Sequence, residues 1–144
     1  MAGNSIFRGS INEQPRTINL PVTGALLPGT FVEATATNLV QITTPAGKRP
    51  LILGNLDFKD QDKLTAYTTG DTGVAYEVNP NDFFQCALAA ATYTHMQPLT
   101  IAAPGRLAAA ATTNVVVAFF NDTPGAYSAG QLADVVIANF YIAP

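Results

Sequence analysis

Gly70-Asp71-Thr72-Gly73 is the stretch whose residue types come nearest to a known chemistry. An aspartate in this setting, paired with its copy across a dimer, would give two carboxylates sharing one proton, an acid–base pair able to activate water. The flanks argue against it. Thr68-Thr69-Gly70 precede Asp71 where an apolar strand would be needed to carry the carboxylate. Asp and Gly also supply the backbone geometry of an ordinary turn, and the tetrapeptide is read as one.

The other reactive side chains are scattered. His95 is the only histidine, which excludes a histidine-based metal cluster within one chain. Ser5, Ser10 and Ser128 stand in no nucleophile-elbow pattern. Cys86 lies in the apolar run FFQCALAA, and a reactive thiol needs a partly exposed, electropositive setting; a Cys86–His95 pair is therefore read as a core thiol and an unrelated imidazole. Asp57, Asp60 and Asp62 fall among Lys59 and Lys63 and lack the remaining ligands of a calcium loop. No glycine-rich phosphate loop is present. The sequence thus offers no catalytic residue, no metal site and no cofactor site.

Composition narrows the alternatives. Charged residues make up 12% of 144 residues, about half the ~25% typical of soluble domains, which fits a surface covered by other protein better than an isolated domain. The net charge is −3, and the seven Lys and Arg residues form no stripe in the sequence, against binding nucleic acid through phosphates. The N-terminus carries no apolar signal segment, and no apolar run is long enough to span a membrane, so synthesis in a cytoplasm is expected. A single cysteine leaves the fold independent of disulfide formation.

The elements that would position any site are short strands. TFVEAT (30–35) and LVQIT (39–43) flank a turn at Thr37-Asn38; PLILGNLDF (50–58), LTAYT (64–68) and VAYEVN (74–79) follow. FFQCALAAATYTHM (83–96) is compatible with a strand or one short helical turn. PLTIAA (98–103) and RLAAAA (106–111) form a hairpin about Pro104-Gly105, and TNVVVAFF (113–120) and DVVIANFYI (134–142) are the strongest strands. Short strands at such spacing with Gly, Pro and Asn turns indicate an all-β, compact single-domain small barrel or sandwich. Residues 1–24 read differently: a polar N-terminal arm, extended until something binds it, ahead of a β domain over residues 25–144. Ile6, Phe7 and Ile18 would be its apolar anchors, and Arg8 and Arg16 its partners for carboxylates.

From Pro28 onward the order of landmarks resembles the capsid cement, or head decoration, proteins of tailed bacteriophages. PGTFVE opens the domain, YTTGD (67–71) supplies a turn, and ALAAATYT (87–94) precedes the hairpin PLTIAAPGRLAAAA (98–111) and two Val/Ile-rich strands. Gln97-Pro98 departs from the glycine that relatives often carry before that hairpin. The resemblance implies a β-tulip-like or jelly-roll-like fold and a structural, non-catalytic virion protein. Such a protein is made in the host bacterial cytoplasm and binds the capsid exterior. Its implied partners are the major capsid protein, whose neighbouring subunits it would clamp, and its own copies, as a homotrimer or else a homodimer. The arm residues Ile6, Phe7, Arg8, Arg16 and Ile18 are then the candidate capsid contacts. A tail or host-attachment protein of similar fold is the nearest alternative. A homodimeric aspartic peptidase using Asp71 is further off, because those enzymes carry an Ile-Leu-Gly segment downstream and here Ile52-Leu53-Gly54 lies upstream.

Overall fold

A computed structural model describes residues 5–56 and 59–144. Over these the chain is all-β. The strands are β1 (Thr17–Pro21), β2 (Phe31–Ala34), β3 (Leu39–Gln41), β4 (Leu51–Leu53), β5 (Thr72–Glu77), β6 (Phe83–Ala87), β7 (Ala91–Tyr93), β8 (Pro98–Ala102), β9 (Arg106–Ala109), β10 (Val115–Phe120), β11 (Gly125–Tyr127) and β12 (Leu132–Ile142). One 3-10 turn, Ile11–Glu13, precedes them, with the Ser10 hydroxyl accepting from the Asn12 amide.

The strands form two five-stranded sheets, ordered β1-β5-β4-β2-β3 and β6-β12-β10-β8-β9, and a two-stranded ribbon of β11 and β7. Every strand pair is antiparallel. The edge strands of each sheet also meet at one end. Val22 bridges Leu39 in the first sheet and Leu88 bridges Leu107 in the second. These contacts shorten the unpaired backbone that an open sheet would leave for aggregation.

Side chains alternate across a strand, and that alternation builds two cores. Phe31 and Ile52 of the first sheet join Phe84, Cys86, Leu99, Ile101, Leu107, Val117, Phe120, Val135 and Ile137 of the second in one buried cluster. Val32, Leu39, Leu51, Leu53 and Ala75 point to the opposite face of the first sheet, where Val22, Leu56 and Tyr67 cover them. Leu51, Ile52 and Leu53 are consequently all buried, as expected of a strand packed on both faces. The stacked rings of Tyr93 and Phe120, 5.5 Å apart, tie the β7–β11 ribbon to the larger core.

The main expectations hold for β2, β3, β5, the β8–β9 hairpin, β10 and β12. Three local readings change. LTAYT (64–68) is not a strand: Tyr67 alone turns inward, its hydroxyl donating to the Gly54 carbonyl and its amide to the Leu26 carbonyl. FFQCALAAATYTHM holds two strands, β6 and β7, broken at Leu88–Ala90, and no helix. The strand expected over residues 50–58 ends at Leu53; its last two positions, Asp57 and Phe58, lie outside the described residues.

The fourth change concerns the arm. Its first four residues lie outside the described residues. The rest does not run free. Residues 6–8 pair with β6, through a Phe7–Phe84 bridge and hydrogen bonds from the Gln85 amide to the Ile6 carbonyl (2.8 Å) and from the Arg8 amide to the Phe83 carbonyl (2.9 Å). β1 lies on β5, with Thr17 opposite Tyr76 and Pro21 opposite Thr72. The reason is apolar burial. Ile6 and Phe7 enter the larger core, and Ile18 and Leu20 pack against the smaller one.

The two cores together predict an alkaline limit to stability. Burial, the largest cause, raises the Tyr67 phenol from 10.0 to about 12. Burial likewise pushes the Cys86 thiol well above its ordinary 9.0. Both groups are neutral when folded, and the unfolded chain releases their protons first. Their contribution is therefore complete below about pH 9 and is lost progressively above it, the share of Tyr67 as pH rises from about 10 to 12. Tyr67 alone accounts for at most roughly 3 kcal/mol, at ~1.4 kcal/mol per pKa unit. Urea unfolding across that window checks this: Tyr67→Phe, compared with the wild type, removes part of the alkaline loss. An identical pH dependence in both proteins would contradict it.

Candidate functional site

Of the five residues expected to reach a partner, the structure buries two in the chain itself. Ile6 is fully buried, and Phe7 is 7% exposed. The Phe7 ring is wedged between Phe84 (ring centroids 5.4 Å apart) and Tyr76 (6.2 Å) at the seam of the two sheets. Both pack within the chain's own larger core. Ile18 is half-buried against the smaller core. Arg8 lies half-buried with its Nε 3.5 Å from Asp134 Oδ1. Arg16 alone is fully presented, its side chain 91% exposed and its Nε 3.5 Å from Glu77 Oε2.

The residues considered for catalysis do not converge. Asp71 is exposed, and its carboxylate accepts from the Thr68 amide at 3.1 Å within a turn. Cys86 is buried in the larger core and His95 sits exposed in the turn before β8. Asp57 lies outside the described residues. Among the described residues no three His, Cys, Asp or Glu side chains gather closely enough to hold a metal ion. No helix among them is long and apolar enough to cross a membrane.

Two surface features stand out. The first is an apolar row on the outer face of the second sheet. Register places Phe83 opposite Val136, Val136 opposite Phe119, and Phe119 opposite Pro98, a line across β6, β12, β10 and β8. Residues directly opposite share a face, and none of these four belongs to either core. Phe83 is 46% exposed, and Tyr141 stacks on Phe119 with ring centroids 6.3 Å apart. Phe140 and Ile142, on either side of Tyr141 in β12, are also exposed.

The second is a cleft of about 700 Å³ between the end of β5 and the end of β12, rimmed by Arg16, Lys48, Arg49 and Glu77 and floored by Leu51, Val78, Ile137 and Phe140. Glu77 takes both Arg16 and Arg49, and Lys48 Nζ donates to Glu33 Oε1 at 3.0 Å. Antiparallel pairing creates this grouping: Thr17 lies opposite Tyr76, and Leu51 opposite Glu77. Sequence reasoning found Arg16 but not Lys48, Arg49 or Glu77. These residues are distant along the chain, and only the register of three strands brings them together.

No protein-family model matches the chain, and no curated protein matches it significantly.

Proposed function

We propose that this chain is a structural virion protein, a cement protein that binds the outside of a tailed-phage head and clamps neighbouring major capsid subunits. The observation that carries this reading is the apolar row Phe83–Val136–Phe119–Pro98 on the outer face of the second sheet. Contiguous apolar surface on a soluble domain marks a contact, and 12% charged residues leave little to keep such a surface in water. The landmark order from PGTFVE to the last Val/Ile strand supports the same reading. The fold supplies two packed cores, a body whose shape is the working part.

A clamp of this kind acts by mass action. It binds the assembled shell and not separate subunits, so it stabilises the shell by an amount set by its affinity and concentration. Many symmetric copies let modest contacts act together. The outer apolar row also suits contact between copies of the chain, with a homotrimer as the expected assembly.

Co-sedimentation tests the reading. The purified chain is expected to pellet saturably with expanded heads that lack it, to leave unassembled shell subunits in the supernatant, and to have the mass of three chains in light scattering. A single-chain mass together with no binding to heads would end it.

A further inference from the structure

Three of the chain's seven Lys and Arg residues rim one cleft, although the net charge of the whole is −3. Arg16 and Arg49 pair with Glu77, the one carboxylate among the described residues that lines the cleft, and Lys48 pairs with Glu33 just outside it, which leaves one positive charge in excess even with Glu33 counted. Glu77 is divided between two guanidinium groups, each of which could hold a carboxylate bidentately on its own. Both arginines of these pairs reach into solvent, with side chains 91% and 68% exposed. Exposed ion pairs contribute little, so a guanidinium gives up its share of Glu77 to an incoming carboxylate at small cost.

The rest of the cleft suits an extended chain. Its floor is apolar, with Phe140 39% exposed. Its wall is an open strand edge. β6 pairs with β12 only as far as Val136, and beyond Ile137 no other strand among the described residues takes that side. On the β10 side the register jumps from Ala118–Ile137 to Val116–Tyr141, so Ala138, Asn139 and Phe140 stand opposite Val117 alone. On the side that β6 leaves, the open edge presents backbone donors and acceptors, and an added strand could use them.

We propose that this cleft binds an extended acidic segment of the shell protein. An Asp or Glu carboxylate of the segment lies between Arg16 and Arg49, and a neighbouring apolar side chain lies on Phe140. The assignment rests on the head-binding reading above. It differs from that reading in naming the surface and the chemistry of what it takes.

Charge reversal tests it on expanded heads lacking the chain. Arg16→Glu and Arg49→Glu are each expected to weaken binding by about tenfold or more and to flatten its salt dependence, with melting temperatures close to the wild type because only exposed pairs are lost. Lys59→Glu makes the same change of charge on an exposed loop outside the cleft and is expected to bind as the wild type does. Unchanged affinity in both arginine variants, with the wild type binding heads, would overturn the cleft and leave the head-binding reading standing. Equal weakening by Lys59→Glu would also overturn it, since net charge and not the cleft would then set affinity. Failure of the wild type to bind heads would overturn both.

Discussion

Phe7→Ala is expected to lower the melting temperature of the isolated chain by roughly 10 °C, with no partner present. Phe7 is 7% exposed and touches Phe84 and Tyr76. Truncating a buried phenylalanine costs about 3–5 kcal/mol in lost burial and residual cavity. A domain of this size loses about 3 °C per kcal/mol. The location sharpens the expectation. Residues 6–8 pair with the outer edge of β6, and Phe7 fills the seam between β6 and β5. The truncation would open that seam to water as well as empty it. Ile6→Ala, at a fully buried neighbour, is expected to cost about 2–5 kcal/mol. Thermal unfolding of both variants decides between two roles for this segment. Unaltered melting with loss of head binding would mean a free arm that docks on a partner; lowered melting means a strap that closes the chain's own core.

The second large effect is expected at Gly105. It has φ +77, and a Cβ built there would stand 2.6 Å from Thr30 Cγ2, 3.0 Å from Gln41 Cγ and 3.0 Å from the Phe31 carbonyl oxygen. The tip of the β8–β9 hairpin approaches β2 at this point, and the Phe31 amide donates to the Gly105 carbonyl at 2.9 Å. Gly105→Ala therefore combines left-handed strain of about 1–2 kcal/mol with overpacking of about 1–3 kcal/mol, against a backbone oxygen that cannot swing aside. A loss of roughly 3 kcal/mol or more in urea unfolding is expected. Gly47 is the control: its φ is +66, but an added Cβ meets nothing within 4 Å, so Gly47→Ala should cost about 1 kcal/mol from strain alone. Equal costs at the two positions would show that the contact between hairpin and β2 carries no weight.

Strands whose signal is local were legible in the sequence. β10 and β12 are β-branched runs between turn residues, and Pro104-Gly105 marks the β8–β9 hairpin directly. β1 was not legible, because TINLP buries its side chains only partly and pairs with β5, far along the chain. LTAYT had the composition of a strand, but Tyr67 serves as a single lid on the second core while its neighbours stay exposed. The burial of the arm's apolar residues in the chain's own core was not legible. Isolated Ile6 and Phe7 carry no period, and only the seam between two sheets explains why they are buried. The cleft could not be read at all, since Arg49 and Glu77 become neighbours through the β4–β5 register and the residues between them contain no pattern that signals it.

Difference density between expanded heads with and without the chain decides whether it cements the shell. Discrete, symmetric density is expected on the outer surface at contacts between capsomers, shaped like this two-sheet body, with the Arg16–Arg49 cleft against the shell. Density confined to the tail, or no added density on heads saturated with the chain, would contradict it.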